Sequence, residues 1–177
     1  MHSSQARRSL IAHQSGEHCH NHAQILIGWR GKIDCAFDQG TSQLDHGRIA
    51  IAPHGAEHVF RGLNDDSELL VIDVAPMDPY IQALEQACNI SFNEALFQQA
   101  QFVSLPPESL PLVEFAAGQL LSNQQPVNPQ VNYQLISLFL TQLSQTYAPE
   151  LTQPSIQQRL DSARLNHIID HCLAEPP

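Results

Sequence analysis

The sequence predicts a mainly β N-terminal barrel followed by an α-helical hairpin. Three observations predict it. Residues 16–76 form a series of short apolar or alternating runs cut by glycine-bearing turns, the texture of a compact sandwich or barrel. After Pro76 the texture changes to capped segments with apolar residues at helical spacing. Two histidine-bearing segments lie in the β-rich part, each joined to a glycine turn and an apolar run.

The elements follow in order. Residues 1–15 are polar apart from Leu10 and Ile11, which predicts a loose N-terminal arm. Residues 24–30 are an apolar run ended by Gly31, and residues 32–38 alternate polar and apolar, as a half-buried strand does. Asp38-Gln39-Gly40-Thr41 and Asp45-His46-Gly47 read as turns. Residues 48–52, 59–61 and 68–74 continue the strands. Asp78-Pro79 reads as a helix cap with proline in the first turn, where its missing N–H costs nothing. Ser91-Phe92-Asn93-Glu94 reads as a capping box. A last strand is expected in residues 101–105.

A longer helix is expected over residues 110–122, with Leu112, Val113, Ala116, Ala117, Leu120 and Leu121 on its apolar face. A second starts at Asn128-Pro129 and carries two stripes, one with Leu135 and Leu138, the other with Ile136, Leu140 and Leu143. The short link over residues 123–127 implies an antiparallel pair. So wide an apolar face suits both the barrel and a dimer partner. After Thr152-Gln153-Pro154 a final helix carries Leu165, Ile168, Ile169 and Cys172, apolar residues with no partner in so short a tail. They are expected to belong to a following domain. The domain reading is therefore an arm at 1–15, a barrel with short helices at 16–107, the hairpin at 108–150, and a linker with a first further helix at 151–177.

Composition narrows the function. With 42% hydrophobic residues in 177, one packed core is expected. Eighteen acidic against eight basic residues give a net charge of −10, a poor balance for gripping phosphate unaided. No apolar run approaches the roughly 18 residues of a membrane span. Cys19, Cys35, Cys88 and Cys172 form no C-x-x-C pair and fit a reduced, cytoplasmic chain, each as a buried or half-buried thiol.

The chemistry-bearing pattern is His18-Cys19-His20-Asn21-His22-Ala23-Gln24, then six residues to Gly31, answered by Gly47, five residues, and Pro53-His54-Gly55-Ala56-Glu57-His58. In a regular strand alternate residues share a face, so His18, His20, His22 and Gln24 would all look inward. Three imidazoles and an amide oxygen on one face suit a divalent ion at about 2.0–2.2 Å, with Gln24 a weak, uncharged fourth ligand. The same groups suit a polar pocket that hydrogen-bonds a small molecule. His13, His46 and His54 read as exposed loop residues, His167 and His171 as helix-surface residues, and Trp29 as core or pocket wall.

These segments resemble the paired motifs of the cupin superfamily. His18, His20 and Gly31 match the first motif, with Gln24 where a glutamate is usual. Gly47, Pro53, Gly55 and His58 match the second. The barrel, hairpin, break and fresh helix together resemble AraC-type transcription regulators. That resemblance implies a jelly-roll-like cupin barrel that senses a small effector through some of His18, His20, His22, Gln24, Trp29 and His58. It also implies a homodimer through the helical hairpin, and DNA contact only through a C-terminal helix-turn-helix domain beyond this chain. The cupin resemblance implies a possible metal (Zn, Ni, Fe or Mn) on His18, His20, Gln24 and His58. The alternative it leaves open is a metalloenzyme, a dioxygenase or isomerase, with Glu57 as a candidate acid or base. A plain storage or scaffold cupin is a third option.

Overall fold

The structure, a computed structural model, describes residues 3–120 apart from residue 14, and residues 128–148. Nine strands are described: β1 (Gln5–Leu10), β2 (Ser15–His18), β3 (Ala23–Arg30), β4 (Ile33–Phe37), β5 (Gly40–Leu44), β6 (Arg48–Ala52), β7 (His58–Gly62), β8 (Glu68–Val74) and β9 (Gln101–Ser104). The helices are α1 (Pro79–Cys88), α2 (Phe92–Leu96), α3 (Leu110–Gln119) and α4 (Pro129–Tyr147). All pairings are antiparallel, in a five-stranded sheet ordered β1-β8-β3-β6-β9 and a four-stranded sheet ordered β2-β7-β4-β5.

Two cores explain why some strands are apolar throughout and others alternate. Leu26, Ala50, Ala52, Leu69 and Val71 of the larger sheet meet Ile33, Cys35, Phe37 and Phe60 of the smaller one inside the barrel. The opposite face of the larger sheet, with Ile25, Ile27, Ile49, Ile51, Leu70 and Ile72, is covered by Phe92, Leu96, Val113, Ala116, Ile136, Phe139 and Leu140 of the helices. Strands β3, β6 and β8 are therefore buried on both faces and carry unbroken apolar runs. Strand β4, with one face outward, alternates.

The motif glycines have a structural reason. Gly31 and Gly47 sit at φ +61° and +84°, the left-handed region that side chains resist. A Cβ on Gly31 would come within 2.8 Å of the Ser67 backbone, and one on Gly47 within 2.5 Å of a Leu110 methyl.

The predicted caps are present. Asp78 accepts from the Tyr80 amide, Ser91 from the Glu94 amide and Asn128 from the Gln130 amide. Asp78 also accepts from the Ser4 amide at 2.7 Å and the Tyr133 hydroxyl at 3.1 Å. Burial alone would raise its pKa, but the bonds from Ser4, Tyr80 and Tyr133 outweigh that and hold it below the ordinary value.

Three expectations need correction. The stretch expected to be a loose arm is largely strand β1, paired along its length with β8. The Ala6 amide donates to buried Asn132 of α4 at 2.7 Å, and Asn132 donates to the Ser4 carbonyl at 3.1 Å. Ile11 is buried and Leu10 is 51% exposed. The turn expected at residues 38–41 closes early, and Gly40 already begins β5. Helix α4 packs chiefly against α2 and β1. Cys19 and Cys88 are exposed, and among the described residues Cys35 is the expected buried thiol, its pKa pushed up to about 12 by burial; Cys172 lies outside the described residues. The link at residues 121–127 and the final helix lie outside the described residues.

Candidate functional site

The two histidine segments meet at one end of the barrel. Strand β2 ends at His18, which stands opposite His58, the first residue of β7. The chain does not continue as one regular strand. Residues 19–22 cross from the smaller sheet to the larger, and β3 begins only at Ala23. That crossing is pinned to the second motif: the Gly55 amide donates to the His20 carbonyl at 2.9 Å, and the Cys19 thiol lies 3.5 Å from the Gly55 carbonyl.

The result is a cluster of imidazoles. Ring centroids lie 5.4 Å apart for His18 and His20, 5.5 Å for His20 and His58, and 6.0 Å for His18 and His58. His22 stacks on His20 at 4.8 Å. Phe60 lies against His18 at 5.0 Å, and Phe37 is 6.1 Å from His58. His58 is 2% exposed; His18, His20 and His22 are half-buried. Its Nδ1 lies 3.3 Å from the Ala56 carbonyl, while its buried Nε2 has no hydrogen-bond partner.

Gln24 faces the barrel interior, 2% exposed, but its amide is committed: Nε2 donates to Asp73 Oδ1 at 2.6 Å. His22 Nε2 lies 3.2 Å from the same oxygen, and Arg7 of β1 donates to Asp73 Oδ2 at 2.5 Å. Asp73 is the residue that sequence reasoning missed. Its signal was the single charged position inside the apolar run of β8.

Trp29 does not join the cluster. A register irregularity falls between Gly28 and Arg30, and Trp29 packs on the helix-covered face with the core of Ile25 and Ile27. Its neighbour is His46, at 5.8 Å between rings. The six candidate residues therefore divide into five at one barrel end and one on the far side of the sheet.

As arranged, the imidazoles of the cluster do not converge on one point. Three imidazoles around one tetrahedral ion would place their centroids roughly 5 Å apart, close to what is seen. But the His18 and His20 planes lie 14° from parallel, stacked rather than converging, and Gln24 is tied to Asp73. Among the described residues, no group of three or more His, Cys, Asp or Glu is placed to hold an ion.

Burial lowers the pKa of His20, and its histidine neighbours His22, His58 and His18 add to the effect against the pull of Asp73. Burial likewise lowers His58, against the Ala56 carbonyl bond. The sign for stability follows. Below the ordinary histidine value of 6.5, the unfolded chain takes up protons that the folded chain refuses, so stability falls as pH drops through that window. Urea midpoints are expected to be lower at about pH 5.5 than at about pH 7.5, with a shallower fall in His58→Gln. Equal slopes in both proteins would contradict the assignment.

Beside the cluster a cleft of about 550 Å³ opens between the loops, lined in part by Phe37, Asp38, Ala56, Glu57, Gln98 and Gln99. No described helix is long and apolar enough to cross a membrane.

No family model and no curated protein matches the chain. Solved structures do. An apo form of a ToxT variant from Vibrio cholerae strain SCE256 matches with a TM-score of 0.58 at 9% identity, over 88% of this chain and 61% of that one. ToxT from Vibrio cholerae at 1.65 Å resolution matches at 0.52 and 9%, over 87% and 58%. Wild-type ToxT of strain SCE256 bound to an unsaturated fatty acid matches at 0.52 and 9%, over 81% and 55%. This chain thus spans about three-fifths of the length of the ToxT chains it is similar to, 61% in the first. The fold of this chain is the cupin-like jelly-roll with appended helices that ToxT also has.

Proposed function

We propose that this chain is the ligand-sensing and dimerisation region of an AraC-type transcription regulator, acting in the cytoplasm on DNA through a helix-turn-helix domain beyond it. The observation that carries the reading is the meeting of His18, His20 and His58, from two distant motifs, at the interior end of the barrel. The likeness to ToxT supports it, since one ToxT structure holds an unsaturated fatty acid. Asp73 links the cluster to β1 through His22 and Arg7, and β1 is bonded in turn to α4 through Asn132. A ligand that favours one packing of these elements over another would shift the population of regulator states.

The metalloenzyme reading has less support, because the Gln24 amide is taken by Asp73 and the imidazoles do not converge. Selection of genomic DNA fragments with the full-length gene product tests the regulator reading. Recovery of discrete, sequence-selective fragments is expected, and purely salt-sensitive, unselective retention would refute it.

The dimer interface is assigned to exposed apolar residues of the helices, Phe115 of α3 at 57% and Leu138 of α4 at 46%. Leu138→Asp is expected to halve the mass seen by light scattering while the far-ultraviolet circular dichroism stays that of the folded chain. An unchanged mass would remove this face from the interface.

A further inference from the structure

Gln24 departs from the cupin pattern, and the neighbouring strand supplies a reason. Gln24 of β3 and Asp73 of β8 are direct partners across the ladder. The Gln24 amide donates to Asp73 Oδ1 at 2.6 Å. A glutamate in its place would set two carboxylates against each other, and like charges directly opposite on paired strands repel. Glutamine keeps the shape of glutamate and has hydrogens to give.

Asp73 is held from its other side as well. On that edge its partner is Gln5 of β1. Arg7, on the same face of β1 as Gln5, donates to Asp73 Oδ2 at 2.5 Å. His22 Nε2 lies 3.2 Å from Oδ1. Gln24 is 2% exposed and the Asp73 side chain 17%, so the bond between them is shielded from water. One carboxylate thus gathers an amide, an imidazole and a guanidinium from β3, the crossing and β1.

This arrangement does not fit the ligand set that the cupin resemblance implies. An acid at position 24 would bring negative charge to an ion. Here position 24 is neutral, and the carboxylate one strand over already carries the charge of Arg7.

We propose that Gln24 and Asp73 are positioning residues of a strut, which ties β1, β3 and the histidine-bearing crossing together where the fold family places a metal-ligating acid. The strut needs no effector, so its failure would leave the regulator reading standing. The DNA selection tests that reading separately.

A charge swap in the full chain tests the strut, read as melting temperature at about pH 8, where carboxylates are ionised. Asp73→Asn alone is expected to lower the melting temperature, and Gln24→Glu alone to lower it by at least about 5 °C. In the Gln24→Glu background, Asp73→Asn is expected to raise it instead, because the new amide donates to the new carboxylate. Side chains that merely fill space would give losses that add. An Asp73→Asn that lowers both backgrounds alike would overturn the strut, as would a Gln24→Glu chain that melts with the parent. Should Gln24→Glu fail to fold, Gln24→Met takes its place. Asp73→Asn is then expected to cost less than it does in the parent, and an equal or larger cost would overturn the strut. Isothermal titration calorimetry with Zn²⁺ supplies a second readout. Gln24→Met is expected to keep the Zn²⁺ affinity within about threefold of the parent, and no uptake by either chain agrees with the strut. A loss of about tenfold or more would make Gln24 a ligand and overturn the assignment.

Discussion

Leu143→Asp is expected to leave the domain unfolded. Leu143 is fully buried, at 0% exposure, in the core where α4 covers the larger sheet, with Ile136, Phe139 and Leu140 beside it. Removing the leucine side chain alone costs about 2–5 kcal/mol. An unpaired carboxylate buried among these apolar side chains adds several more. The sum approaches the roughly 5–15 kcal/mol that holds a typical domain together. Far-ultraviolet circular dichroism should show no cooperative urea transition, and a cooperative transition near that of the parent protein would contradict the packing of α4. Leu138, five residues earlier on the same helix, is the contrast. Its exposure keeps a charge there within about 0.5 kcal/mol of neutral for the isolated fold. The sequence stripe treats both leucines as candidates for a dimer face, and burial separates them.

The second large effect is expected at the edge of the sheet. Arg8 of β1 makes a paired contact with Glu68, Nε to Oε1 at 2.7 Å and Nη2 to Oε2 at 2.8 Å, and its Nη1 donates to the Ala117 carbonyl of α3 at 3.0 Å. The Glu68 side chain is 5% exposed and that of Arg8 18%. The hydrogen bonds that Arg8 donates to Glu68 raise its pKa, against the opposite pull of burial. Arg8→Ala leaves a buried carboxylate with no counter-charge, at a cost of about 3 kcal/mol or more. Melting is expected to fall by roughly 6–12 °C. Replacing both partners, Arg8→Met with Glu68→Leu, should recover most of the loss. A double variant no better than Arg8→Ala would show that the ion pair is not what ties β1 to the barrel.

Much of this fold can be read from local pattern. The runs that became β3, β6 and β8 are apolar because both faces are covered, and the caps at Asp78, Ser91 and Asn128 stand where they were read. The pairing of His18 with His58 follows from two motifs whose glycines fix the turns. What escaped reading depends on distant partners. Gln5–Leu10 is too polar to look like a strand, and is held by Glu68, Asp73 and Asn132, far away in sequence. The crossing at residues 19–22 breaks the alternation that would have lined up four side chains. The irregularity beside Gly28 accompanies the placement of Trp29 on the helix side. Asp73 gains its meaning only when Arg7, His22 and Gln24 converge on it.

The most direct check on the histidine cluster is nuclear magnetic resonance of the imidazole rings in the ligand-free chain. Cross-relaxation should connect His18 with His20 and His20 with His58, and the ring nitrogen shifts of His58 should report hydrogen on Nδ1 with Nε2 bare. Rings that show no mutual contact, or a His58 protonated at Nε2 and exchanging freely with water, would contradict the account.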